Sequence, residues 1–260
     1  MRLTDFLREM PSLWAGDPQW ADHPIDRRFA DVLEDIGGMA TENKLALLNL
    51  AGRHLCPDEV YLEIGAYRGT SIIAASLNNP DQKFVTVDNF SQFQGAYAEC
   101  KENLSRYGCT NVELIDADAW EVLSDPPFPN KVGVYFYDGR HRFRDQWAAL
   151  AKVEPLLADE ALVVIDDASW RQVRAANRFF TKGHPNFENV VRFDSATHGE
   201  PRWWNGVELF AFRRTGREVD RQGPAKRGIY LVGIAYYDLM RFYGGAVKDG
   251  LRRVVAKAAR

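Results

Sequence analysis

The 260-residue chain is 46% hydrophobic and 27% charged, with a net charge of −3. That supplies one well-buried domain with appendages and excludes both a disordered chain and a globally basic nucleic-acid binder. No apolar run reaches bilayer-spanning length, and Asp5, Arg8 and Glu9 stand where a signal peptide needs an apolar stretch. Cys56, Cys100 and Cys109 form no metal-like cluster and leave one thiol over in any disulfide scheme, which points to a reducing, cytoplasmic setting.

In chain order, residues 1–55 read as an N-terminal helical cap. It is clearest over Ala40–Leu55, where Leu45, Leu47, Leu48 and Leu50 build an apolar face and Thr41 stands near the start. Residues 56–213 alternate short apolar strands with longer helical stretches. The strands are expected at Val60–Ile64, Phe84–Val87, Val112–Ile115, Val132–Tyr137, Ala161–Ile165, Val190–Phe193 and Val207–Phe212. Crossover helices are expected at Ser71–Leu77, Ala96–Tyr107 and Arg144–Leu156. This predicts an α/β fold, a doubly wound and mostly parallel seven-stranded sheet with helices on both faces. No helix separates the last two strands, so the loop from Asp194 to Asn205 makes them an antiparallel pair.

Residues 214–260 read as a basic helical extension, a polar linker to Lys226 followed by one or two helices broken near Gly244-Gly245. From Arg213 onward twelve Arg/Lys face four Asp/Glu, an excess of +8 that leaves −11 on residues 1–212. The tail reads first as a helix packing on the domain or on a second subunit of a homo-oligomer. The alternative is a peripheral surface for anionic lipid or an acidic partner, because Tyr230, Tyr236, Tyr237, Phe242 and Tyr243 stand among its basic residues.

Open parallel sheets bind ligands beyond the carboxyl ends of their strands. The first strand ends at Glu63 and passes into Gly65-Ala66-Tyr67-Arg68-Gly69, a turn that brings backbone close to a ligand. It is neither the dinucleotide fingerprint nor a Lys-Ser/Thr phosphate clamp, and Glu63 suits a ligand with a positive centre rather than a pyrophosphate. Asp88 ends the second strand, where a carboxylate can accept from both ribose hydroxyls. Asp118, with Ala119 after it, ends the third; it either accepts from an adenine amino group or caps a helix. The fourth strand leads to Asp138-Gly139-Arg140-His141 and the fifth to Asp166-Asp167. Three carboxylates converging at one rim repel one another unless a hard divalent cation compensates them, and oxygen donors favour Mg²⁺ over Zn²⁺. His141 is placed to act as a base toward a hydroxyl whose pKa such an ion lowers. The plain alternative makes the aspartates helix caps and His141 a hydrogen-bonded rim residue.

Glu63-Ile-Gly-Ala-Tyr-Arg-Gly-Thr-Ser71 closely resembles motif I of the catechol O-methyltransferase branch of class I S-adenosylmethionine-dependent methyltransferases. Tyr137-Asp-Gly-Arg-His141 and Ile165-Asp-Asp167 resemble bacterial Mg²⁺-dependent enzymes that methylate hydroxyls of sugars and natural products. The resemblance covers about Ala40 to Arg213. It implies a Rossmann-like fold with S-adenosylmethionine held by Glu63, Gly65, Ala66, Tyr67 and Ser71 at the methionine part, Asp88 at the ribose, Asp118 and Ala119 at the adenine, and Asp138 beside the donor. It further implies Mg²⁺ on Asp138, Asp166 and Asp167, with His141 where these branches place a lysine or histidine base. The fifth-strand pair departs from both branches while keeping oxygen ligands, so the acceptor's identity does not transfer.

The expected activity is methyl transfer to a hydroxyl of a small molecule or glycan, with His141 and Asp138 as catalytic groups and no nucleic-acid partner. Trp170, Trp203, Trp204 and Asn205 are candidate acceptor contacts, with Trp203 and Trp204 equally readable as core or lid aromatics. The competing readings are a metal-independent methyltransferase of another acceptor, an NAD-dependent oxidoreductase, which the first turn disfavours, a non-catalytic binding or dimerisation module, and a nucleic-acid methyltransferase. The basic tail suggests the last, but the −11 on residues 1–212 and the lack of an Asn/Asp-Pro-Pro-aromatic signature after the fourth strand count against it.

Overall fold

The computed structural model describes residues 1–217 and 224–239. All seven expected strands are present: β1 (Glu59–Ile64), β2 (Lys83–Asp88), β3 (Val112–Asp116), β4 (Lys131–Tyr137), β5 (Leu157–Asp166), β6 (Phe187–Phe193) and β7 (Val207–Arg213). They form one sheet in the order β3-β2-β1-β4-β5-β7-β6. β1 to β5 pair in parallel; β7 runs antiparallel to both β5 and β6.

Alternation along the strands divides the core in two. Tyr61, Val134, Phe136, Leu162 and Val164 face one side, while Val60, Leu62, Tyr135, Tyr137, Val163 and Ile165 face the other. The N-terminal segment covers the first face, through α1 (Leu3–Glu9), α2 (Arg28–Ile36) and α3 (Glu42–Arg53). Thr41 caps α3 by accepting from the Lys44 amide, so the expected helix starts at Glu42 rather than Ala40. α4 (Thr70–Ser76) and α5 (Ala96–Arg106) follow β1 and β2, and α6 (Ala119–Ser124) follows β3. α7 (Phe143–Val153) covers the second face. α8 (Arg171–Thr181), which strand-spacing alone did not single out, connects β5 to β6.

The C-terminal segment packs onto this frame through α9 (Pro224–Gly233) and a π-helical turn at Ile234–Leu239. Tyr237 stacks on Phe143 with rings 5.6 Å apart, and Asp238 accepts from the amides of Phe143 (2.8 Å) and Arg144 (3.1 Å). A carboxylate thus caps α7 from 94 residues downstream, where Arg142 offers no capping side chain. The expected break at Gly244-Gly245, with Phe242 and Tyr243, lies outside the described residues. No helix among the described residues is long and apolar enough to cross a membrane.

Candidate active site

Strand order reverses between β1 and β4, since β2 and β3 lie on one side of β1 and β4 and β5 on the other. Ile64 and Tyr137 are in register, so the two chains leave the sheet side by side and open a crevice at the switch point. Gly65, at φ +104°, crosses against Asp138, where any Cβ would collide with the Asp138 carbonyl oxygen. A cleft of about 850 Å³ opens beyond these strand ends. Of the five non-glycine residues at positive φ among the described residues, Tyr67, Phe90, Asp167 and Trp204 line it. Such strained backbone concentrates where side chains must be aimed at a ligand.

Asp88 organises the near wall. Its Oδ2 accepts from the amides of Ala66 and Tyr67 at 3.0 Å each, and Oδ1 accepts from Phe90 at 2.8 Å. The carboxylate therefore fixes the glycine turn while still bordering the cleft. Asp118 is also at the wall, and its side chain caps α6 by accepting from Trp120 at 2.8 Å. Ala119 and Trp120 complete this side, with the loop Asn89–Phe93 opposite. Neither Trp120 nor that loop was legible as site material beforehand, because they carry no charge pattern or turn signature.

Glu63 lies beneath the turn, fully buried, with Oε1 accepting from Ser71 (3.0 Å) and Thr86 (3.1 Å). Its Oε2 has no partner. Burial pushes this carboxyl up to about 8 despite those hydrogen bonds. Glu63, Ala66 and Ser71 form the layer under the cleft rather than its open wall, whereas Gly65 and Tyr67 reach the surface of the cavity.

The far wall holds the acidic group. Asp138, His141 and Asp167 each present a ligand atom within 4.8 Å of the others. His141 Nε2 stands 2.8 Å from Asp167 Oδ2 and 3.8 Å from Asp138 Oδ1, and Asp167 Oδ1 accepts from Asn205 at 2.7 Å. Burial raises the Asp138 carboxyl well above its ordinary range, reinforced by the charge of Asp166. Burial also works to raise Asp167, but the hydrogen bond and charge of His141, with Lys44 and Asn205, outweigh it and hold that carboxyl low.

Asp166 departs from the expected arrangement. Its Oδ2 accepts from Lys44 Nζ at 2.5 Å, with Lys44 and Asp166 only 1% and 2% exposed, and its Oδ1 is buried without a partner. Desolvation works to lower the Lys44 ammonium, but the Asp166 carboxylate holds it above its ordinary value. Part of the compensation assigned to a metal is thus supplied by α3. A lysine inside a leucine-rich helix gives no sequence signal of this, since its partner is 122 residues away.

Among the candidate acceptor contacts, Trp170, Trp204 and Asn205 line the cleft. Trp203 does not: it has no exposed surface, stacks on Phe193 at 4.0 Å and donates to the Pro18 carbonyl. The adjacent tryptophans divide because Trp204 takes φ +57°, turning its side chain away from the core. Arg140, His198 and Tyr237 join the lining, the last brought by the C-terminal segment.

The residues present fit a hard cation. Asp138 and Asp167 offer carboxylate oxygens, His141 an imidazole nitrogen, and Asp166 Oδ1 is an orphaned buried acceptor at the same strand end.

Residues 62–168 match a family described as a methyltransferase domain. A tRNA (guanine-N(7)-)-methyltransferase of Psychromonas ingrahamii is 27% identical over 66% of this chain and 72% of its own. Another, from Paenarthrobacter aurescens, is 26% identical over 56% of this chain, which spans 52% of that relative's length. The solved O-methyltransferase TomG of Streptomyces achromogenes, in complex with S-adenosylmethionine and involved in tomaymycin synthesis, superposes with a TM-score of 0.55. It is 19% identical, over 82% of this chain and 96% of its own.

Proposed function

We propose that the protein, whose residues 62–168 match a methyltransferase domain, is a class I S-adenosylmethionine-dependent methyltransferase that methylates a hydroxyl of a small molecule with the assistance of a divalent cation. The observation that carries this reading is the Asp138–His141–Asp167 group in the cleft, beside the Gly65 turn. The donor would lie along the near wall, with its positive methionine end toward the turn above Glu63, its ribose at Asp88 and its adenine by Asp118, Ala119 and Trp120. A Mg²⁺ ion held by Asp138 and Asp167, with His141 or Asp166 Oδ1, would supply Lewis acidity toward the acceptor hydroxyl.

The chain's own residues do the rest. Asp167 Oδ2 accepts from the Nε2–H of His141 at 2.8 Å, which holds the imidazole at the far wall as the candidate base, while its Nδ1 is buried without a partner. Asn205 holds Asp167 from behind, and Trp170 meets His141 edge-on at 5.0 Å, fixing the ring's plane. Trp204 and Trp170 offer flat apolar walls to the acceptor. The protein's contribution is proximity and alignment.

The tRNA-methylating relatives favour a second reading, transfer to a base nitrogen of RNA. The charge of −11 on residues 1–212 weighs against a surface that tracks phosphates. Calorimetric titration with S-adenosylhomocysteine tests the donor, and absence of binding at millimolar ligand would sink it. Incubating donor and Mg²⁺ with either a hydroxylated small-molecule panel or bulk tRNA separates the two readings. Methylation confined to the tRNA would overturn the first.

A further inference from the structure

α8 carries Arg171, Arg174 and Arg178 at spacings of three and four residues, which places them along one side of the helix. Arg192 of β6 lines the same second pocket, a hollow of about 570 Å³ that Tyr237 also borders. Tyr237 lines the main cleft as well, and Trp170 and Gln172, either side of Arg171, face that cleft. The two cavities are therefore neighbours, with α8 opening between them.

The charges in this hollow do not cancel. Asp194 accepts from Arg174 Nη2 (2.6 Å) and from Arg192 Nε (3.0 Å). Glu208 stands 3.9 Å from Arg192, and its oxygens already accept from Asn177 and Asn189 at 2.8 Å each. Among the described residues no acidic side chain pairs with Arg171 or Arg178, both exposed. The Nε of Arg174 is buried without a partner. Four guanidiniums against two carboxylates make a local reversal of sign within residues 1–212, which together sum to −11. Planar guanidiniums with unfilled donors match the oxygens of a phosphate, which they bind in pairs of parallel hydrogen bonds.

We infer that this hollow holds the phosphate or diphosphate end of a small-molecule acceptor whose hydroxyl lies in the main cleft. The acceptor part of this inference rests on the methyl-transfer reading; the anion site does not. A single bounded concavity suits one anionic group, whereas an RNA backbone needs a continued basic track, against which the −11 on residues 1–212 weighs.

The test is calorimetric titration of the full chain with inorganic pyrophosphate, beside the double variant Arg171→Ala/Arg178→Ala, whose side chains are exposed. Saturable binding that weakens at least roughly tenfold in the variant is expected. No binding, or equal binding by both proteins, overturns the site. If bulk tRNA binds in a manner dependent on Arg171 and Arg178 while pyrophosphate does not, the small phosphorylated acceptor is overturned in favour of RNA. S-adenosylhomocysteine binding, expected to be equal in both proteins, reports on fold and donor separately. Its loss in the wild type alongside intact pyrophosphate binding sinks the methyl-transfer reading and leaves the anion site standing.

Discussion

Lys44 Nζ and Asp166 Oδ2 lie 2.5 Å apart in the interior, joining helix α3 to the end of strand β5 directly behind the candidate catalytic group. A buried ion pair of this kind contributes little over an apolar replacement of both partners, yet removing one partner leaves an uncompensated charge. Lys44→Met should therefore lower unfolding stability by about 3–5 kcal/mol. Lys44→Met/Asp166→Leu should recover part of that loss. Urea denaturation of Lys44→Met, Asp166→Leu and the double variant decides it, and additive losses would show that the pair is not coupled.

Glu63 makes stability depend on pH with a definite sign. Its folded carboxyl titrates at about 8, above the unfolded value near 4.5, so the folded state keeps a proton that the unfolded state releases between those values. Stability should thus fall as pH rises through that window, by about 1.4 kcal/mol per pH unit at the steepest. Glu63→Gln cannot ionise, so its advantage over the wild type should be absent near pH 4.5 and grow to a plateau above pH 8. Urea midpoints at several pH values check this; a gap that does not change with pH contradicts it.

The acidic group at the far wall predicts cation binding that can be read without any acceptor. Mn²⁺, used as a probe in calorimetry, should bind the wild type and bind Asp138→Asn or Asp167→Asn at least about tenfold more weakly. Turnover, once an acceptor is found, should fall in EDTA and return with Mg²⁺. Equal Mn²⁺ affinity across the three proteins would mean that the group is structural.

Asp238 ties the C-terminal segment to the first turn of α7. Asp238→Ala should cost about 1–2 kcal/mol through loss of this cap. It should also speed proteolytic cleavage near the linker at 214–226, because Tyr237 would lose its neighbouring anchor on Phe143. Limited proteolysis of wild type and variant side by side measures this, with unchanged cleavage rates as the contrary outcome.

What could be read from the sequence was local in origin. Each strand announces itself by a stretch of four to six mostly apolar residues, and Gly65 marks the place where β1 must turn against β4. The parallel order followed from strand–helix alternation, because a crossover leaves few other ways to bury both faces. Asp138, His141 and Asp167 could be nominated because each stands at the end of such a run.

Tertiary structure decided the partners. It assigned Asp166 to Lys44, sent Trp203 into the core while Trp204 faced the cleft, and brought Tyr237 and Asp238 back to the mouth. These outcomes depend on which side chains meet across tens to more than a hundred residues, and on single φ values such as that of Trp204. Periodicity, which reports only the face a residue shares with its near neighbours, carries no record of them.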